Sequence, residues 1–288
     1  MFENFKKIKF NFDVEINGLV SGTGPPLLLL HGYPQNLYEW AKVAPMLAQK
    51  STVVCADLRG YGESGKPAAI SENYSFRKMA EDQIKTMEAL GFHEFSVIGH
   101  DRGARVAFEL AANHPRRVKK LGLLDIVPTE VIFSDVNSEI AVDYWHWFLF
   151  QQPFPYVEKI IESAGPHFFE RFFTSIGGMA SIELSGEQFT EYRRQWTDFE
   201  FIRASCAEYR ENAKITQQAR RIPVPPLDCP TLVAWGIDGA LPKHFDVRDL
   251  WGARLNSASF VEMPGGHFFI DQFPNETAKV IEEFLGVM

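Results

Sequence analysis

Six short apolar runs set the strongest limit on how this chain folds: residues 27–30, 52–56, 95–98, 121–124, 231–235 and 260–263. They stop at His31, Asp57, Gly99, Asp125, Gly236 and Pro264. Their nearly continuous apolar character is that of parallel strands buried on both faces. Helix-length segments lie between them: 37–49, 76–90 behind a Ser75 N-cap, 105–113 and 276–285. Strands alternating with helices imply right-handed βαβ units and an open, mostly parallel α/β sheet flanked by helices. Residues 8–20 alternate in polarity and predict a hairpin, which would form an antiparallel edge.

The alternation stops after Pro128. From there to about Pro225 the chain is helical in period and dense in aromatics (YWHWFLF, HFFERFF, EYRRQW), and the strand pattern resumes at Leu232. This predicts a core of residues 1–128 and 225–288 with a helical cap, 129–224, inserted into it. A chain of 288 residues has room for both.

Charge and cysteine content narrow the classes of function. A formal charge of −8, with no run of Lys or Arg longer than two, argues against nucleic-acid and anionic-membrane partners. Cys55, Cys206 and Cys229 are widely spaced and form no CxxC pair, so neither a disulfide framework nor a zinc site is suggested. The N-terminus lacks the apolar core of a signal peptide, and no stretch approaches the ~18 uninterrupted apolar residues of a membrane span. The expected location is the cytoplasm.

Ligands of open α/β sheets bind beyond the carboxyl ends of the strands. The residues there include Tyr33, Asp57, His100, Asp101, Arg102, Asp125, Asp238 and His267. Asp57, in DLRGYGES, reads as a turn and N-cap residue. GHDRGAR is more informative, because Gly99 and Gly103 flank Asp101 two residues away on either side. Small residues at that spacing permit the strained strand-to-helix turn that exposes a nucleophile. The chain order then runs nucleophile, acid, base: Asp101, then Asp125 or Asp238, then His267.

The stretches HGYPQ, DLRGYGES, GHDRGAR, LDIVPT and PGGHFF, with YWHW and QQPFPY in the cap segment, resemble haloacetate (fluoroacetate) dehalogenases of the α/β-hydrolase fold over nearly the whole chain. The resemblance implies that Asp125 is the triad acid and that His146, Trp147 and Tyr209 hold the departing halide. It also implies a homodimer. One departure stands out: relatives carry a Gly-Trp-Gly run where this chain has Ser175-Ile176-Gly177. That change bears on pocket size and on fluoride release.

The residues support the same chemistry on their own. A carboxylate nucleophile is poorly suited to acyl transfer but displaces a leaving group at saturated carbon, giving an ester. His267 would activate water against that ester, with the backbone N–H groups of Tyr33 and Arg102 on the oxyanion. Such a scheme calls for no metal and no organic cofactor. It fits halide loss or epoxide opening. Arg102 and Arg105, one helical turn apart, predict a small anionic substrate whose carboxylate they hold. Neutral haloalkanes are disfavoured, because their enzymes generally place an aromatic donor where Arg102 stands. Epoxide opening stays open through the cap tyrosines Tyr144, Tyr156, Tyr192 and Tyr209.

Overall fold

A computed structural model describes residues 1–134, 136–175, 186–219 and 225–287. Its strands β1 (Lys6–Asn11), β2 (Glu15–Ser21), β3 (Pro26–Leu30), β4 (Thr52–Ala56), β5 (Phe95–His100), β6 (Val118–Leu124), β7 (Thr231–Gly236) and β8 (Ala258–Met263) form one sheet. The order across it is β1-β2-β4-β3-β5-β6-β7-β8. The β1–β2 hairpin pairs antiparallel, as does β2 with β4, whereas every pairing from β4 to β8 is parallel. The sheet is thus mostly parallel with an antiparallel edge.

The apolar runs are buried on both faces because alternate side chains serve different cores. On one face Leu28 and Leu30 join Met79 of helix α2 (Phe76–Ala89) and Ala104 of helix α3 (Arg102–Asn113). On the other, Leu27 and Leu29 join Leu47 of helix α1 (Ala44–Leu47) and Ile281 of helix α14 (Pro274–Leu285). α2 starts where the Ser75 side chain accepts from the Lys78 N–H.

Residues 37–49 do not make the single helix that their pattern predicts. A 3₁₀ turn, Leu37–Ala41, is followed by the one-turn α1. Pro45 has no N–H to continue the ladder. The start of the turn is instead tied down by side chains, with Asn36 accepting from the Tyr38 N–H and Asp57 from the Leu37 N–H. Asp57 also accepts from Glu63 N–H and Asn17 Nδ2, so it organises loops and lies outside the chemistry.

Between β6 and β7 the described residues form helices α4 (Thr129–Ile132), α5 (Ser138–Asp143), α6 (Trp145–Leu149), α7 (Tyr156–Ala164), α8 (Pro166–Ser175), α9 (Glu187–Trp196) and α10 (Phe199–Ala219), and a single β-bridge joins Leu227 to Leu255. Their aromatics pack edge-on around Tyr33, from Phe150, Phe172 and Tyr209. Trp196 Nε1 and Gln195 Nε2 of α9 donate to the Pro34 carbonyl, joining the helical segment to the loop after β3. The remaining helices, α11 (Ala240–His244), α12 (Val247–Gly252) and α13 (Phe269–Gln272), follow β7 and β8. No helix among the described residues is long and apolar enough to cross a membrane.

Candidate active site

β5 ends in a sharp turn at Asp101, whose φ of 45° and ψ of −113° lie outside the ordinary regions for an L-residue. The flanking glycines make the turn possible. A Cβ on Gly99 would stand 2.3 Å from the Gly103 carbonyl oxygen, and one on Gly103 2.4 Å from that of Leu30. α3 begins at Arg102, three residues before the pattern alone suggested, because the elbow turns directly into the helix. The Tyr33 N–H donates to Asp101 Oδ2 at 3.0 Å. Burial alone would raise the Asp101 carboxyl, but the charges of His267, Arg102, His100 and Arg105 outweigh it and hold the group below its ordinary range. Asp101 is therefore ionised at neutral pH.

After β6, Asp125 also adopts a positive φ, 51°. Its Oδ1 accepts from the Gly236 N–H at 2.9 Å and its Oδ2 meets His267 Nδ1 at 2.5 Å. Asp238 is exposed and offers His267 no side-chain contact, so the geometry separates the two candidate acids. With Nδ1 on a carboxylate, Nδ1 carries the proton and Nε2 is the free basic nitrogen.

Asp101, Asp125 and His267 line one small cavity with Tyr33, Arg105, Tyr144, His146, Trp147, Phe172, Tyr209 and Leu241, about 30 Å³ of it accessible to water. Side chains from the helical segment between β6 and β7 thus line the cavity together with residues at the strand ends. His146 is pushed down to about 3 by burial and is neutral. Its Nδ1 has no hydrogen-bond partner. Burial raises the Tyr144 and Tyr209 phenols well above their ordinary range, so both remain O–H donors. Of the other cap tyrosines, Tyr156 is exposed and Tyr192 donates to Asp271. Ile176 and Gly177 lie outside the described residues.

The two arginines separate. Arg105 reaches the cavity, and its Nη1 is held by the Val127 carbonyl at 2.9 Å and Thr129 Oγ1 at 2.6 Å while Nε has no partner. Burial, then the like charge of Arg102, push it down to about 10, which leaves it cationic at neutral pH. Arg102 does not line the cavity. Its Nε donates to Glu208 at 2.9 Å, Nη2 completes a fork on the same carboxylate, and the guanidinium lies over the Tyr209 ring at 4.0 Å. The two arginines thus have different surroundings: Glu208 pairs with Arg102 behind the wall that Tyr209 and Trp147 form. Arg102 Nη1 remains without a partner. Neither Glu208 nor Glu39, described below, was signalled by the sequence, since both sit on ordinary amphipathic helical turns far along the chain from their partners.

Among the described residues there is no His, Cys, Asp and Glu cluster that could hold a metal ion, and the three cysteines are unpaired. A strained elbow carrying a carboxylate, a His–Asp pair and an amide aimed at the nucleophile define a hydrolase site of the α/β type. The chain belongs to the α/β-hydrolase fold family, whose model matches residues 25–274. It is 45% identical over 99% of its length, and 95% of the relative's, to a fluoroacetate dehalogenase of Burkholderia sp.. A soluble epoxide hydrolase of Corynebacterium sp. (strain C12) is 32% identical over 88% of this chain and 90% of its own. A crystal structure of a Nostoc sp. PCC 7120 protein assigned to the α/β hydrolases superposes with a TM-score of 0.95 at 40% identity, covering 99% of both chains.

Proposed function

We propose that the protein is a haloacetate dehalogenase that hydrolyses fluoroacetate, chloroacetate or related short 2-haloacids to the hydroxy acid and halide. The observation that carries this reading is a buried, ionised Asp101 sharing a small cavity with the unpartnered Nε edge of Arg105. The likeness to the Burkholderia fluoroacetate dehalogenase supports it independently.

In the proposed reaction Arg105 holds the substrate carboxylate, with Arg102 contributing its free Nη1 if the fork on Glu208 opens. An Asp101 oxygen attacks the α-carbon in line and the carbon–halogen bond breaks, leaving an ester on Asp101. Neutral N–H and O–H donors on His146, Trp147 and Tyr209 solvate the departing halide. His267 Nε2 then removes a proton from water as the oxygen adds to the Asp101 carbonyl carbon, and Asp125 stabilises the imidazolium so formed. The Tyr33 N–H, already on Asp101 Oδ2, and the first amide of α3 at Arg102 hold the oxyanion. Collapse releases the hydroxy acid and leaves one water oxygen in Asp101.

Measuring fluoride and chloride release from the two haloacetates, with Asp101→Ala as control, tests this. Release that persists at the wild-type rate in Asp101→Ala overturns the assignment. A second reading, epoxide opening by the same Asp–His pair, is favoured by Tyr144 and Tyr209 both lining the cavity, where they would protonate an alkoxide. Diol formation from styrene oxide without haloacid turnover would select it.

A further inference from the structure

Behind the cavity lies a buried ion pair that the reaction scheme does not use. His100, the last residue of β5, meets Glu39 Oε1 through Nδ1 at 2.7 Å, and both side chains are fully buried. Each of these two residues reaches a second segment of the site. Glu39 Oε2 accepts from the Gly32 N–H at 2.7 Å, in the turn that presents the Tyr33 amide to Asp101. His100 Nε2 meets the main-chain carbonyl of His267 at 2.8 Å, and the two imidazole rings lie 4.7 Å apart.

Both partners of the His100 ring, a carboxylate and a carbonyl, are acceptors. Nε2 therefore donates to the carbonyl, while Nδ1 stands against the carboxylate as a close ion-pair contact without hydrogen-bond alignment, and the imidazolium suits both neighbours. Its proton affinity agrees: burial would lower it, but the charge and hydrogen bond of Glu39 raise it to about 9. The packing leaves little slack, since a Cβ on Gly32 would stand 2.8 Å from His100 Nδ1 and 2.9 Å from Asp101 Cβ.

We propose that Glu39 and His100 act as a positioning clamp that holds the oxyanion loop at Gly32–Tyr33 and the base loop at His267 in register with the Asp101 elbow. The inference rests on the dehalogenase reading and adds to it a division between the two chemical steps. Displacement of halide needs Asp101 and Arg105, whose supports are the elbow and the carbonyl of Val127. Ester hydrolysis needs the Tyr33 amide and His267 Nε2 in register, and the clamp joins those two loops. Loss of the clamp therefore slows the second step far more than the first. A residue that served only to hold the fold would slow both alike.

The test mixes chloroacetate with Glu39→Gln or His100→Gln, follows halide release by rapid quench, and weighs the peptide containing Asp101. His267→Asn serves as the reference for a trapped ester. The expected result, in whichever clamp variant folds, is a chloride burst of about one equivalent at a rate within about three-fold of wild type, then ester hydrolysis slowed at least about ten-fold. The ester on Asp101 becomes the main enzyme species. Equal slowing of both steps, or no slowing, overturns the clamp. If His267→Asn itself accumulates no ester on Asp101, the dehalogenase reading fails instead, so the two failures are told apart.

Discussion

The two walls of the cavity are built on opposite principles. On the sheet side, the groups proposed for catalysis are held by charge and backbone: Asp101 by the Tyr33 amide, Asp125 by Gly236 and His267, and the loop at His267 by His100. On the cap side, His146, Trp147 and Tyr209 are held mainly by edge-on ring packing, and the His146 Nδ1 is left without a partner. The Asp101 and Asp125 carboxylates already have partners, so their geometry is set before substrate arrives. A buried polar atom such as His146 Nδ1 is completed only by a ligand, because a buried polar group without a partner costs ~1–3 kcal/mol. Under the proposed reaction, the core wall would set bond making and bond breaking, and the helical wall would set the leaving group.

Substitutions on each wall test that contrast. The largest effect is expected for Asp101→Ala, which removes the nucleophile and should lower halide release by about 10⁴-fold or more with every haloacid. Replacing a cap donor should discriminate instead. His146→Phe keeps the ring packing but loses the N–H, and fluoride release should fall by about 10²- to 10³-fold. Chloride release should fall by less, because fluoride has the greater need of a donor as charge develops. If both halides decline equally, the cap wall does not set leaving-group preference.

Arg105→Gln lies where the walls meet. It should raise the KM for chloroacetate by about 10²-fold while kcat changes less, since the carboxylate is held alike before and during displacement. A loss confined to kcat would break the assignment of Arg105 to substrate binding.

The smallest effect concerns stability. His100 is raised to about 9 in the folded protein, so the stability that its charge contributes is complete below about pH 6.5 and is lost as the pH climbs through about 9. Urea unfolding across pH 6 to 10 should show a decline on the order of 3 kcal/mol over that window, absent in His100→Gln. A decline that survives the substitution would assign it to another group.

Legibility follows the same division. Asp101, Asp125 and His267 stood out as candidates because each lies within a few residues of the end of an apolar strand run, and the glycines around Asp101 obey a local steric rule. The mostly parallel sheet and its hairpin edge were readable from the same runs, whereas the order of the strands came only with the structure. The single helix expected over 37–49 was not found, since Pro45 and the long-range acceptor Asp57 outweigh local helical period there. The separation of Arg102 from Arg105 was equally invisible: Glu208 stands 106 residues from Arg102. No spacing rule in a single chain connects them.

Local sequence alone therefore showed which residues end the strands, where the backbone tolerates a strained elbow, and that a carboxylate stands at that elbow, the position from which the proposed displacement would start. These depend on sterics and polarity within a few residues. Only the tertiary structure decided that Glu208 neutralises one arginine while the other keeps an open edge, and that Glu39 and His100 join two loops behind the nucleophile. Those outcomes depend on burial, which makes a charge require a partner, and the partner is supplied by whichever distant segment the fold brings within about 3 Å.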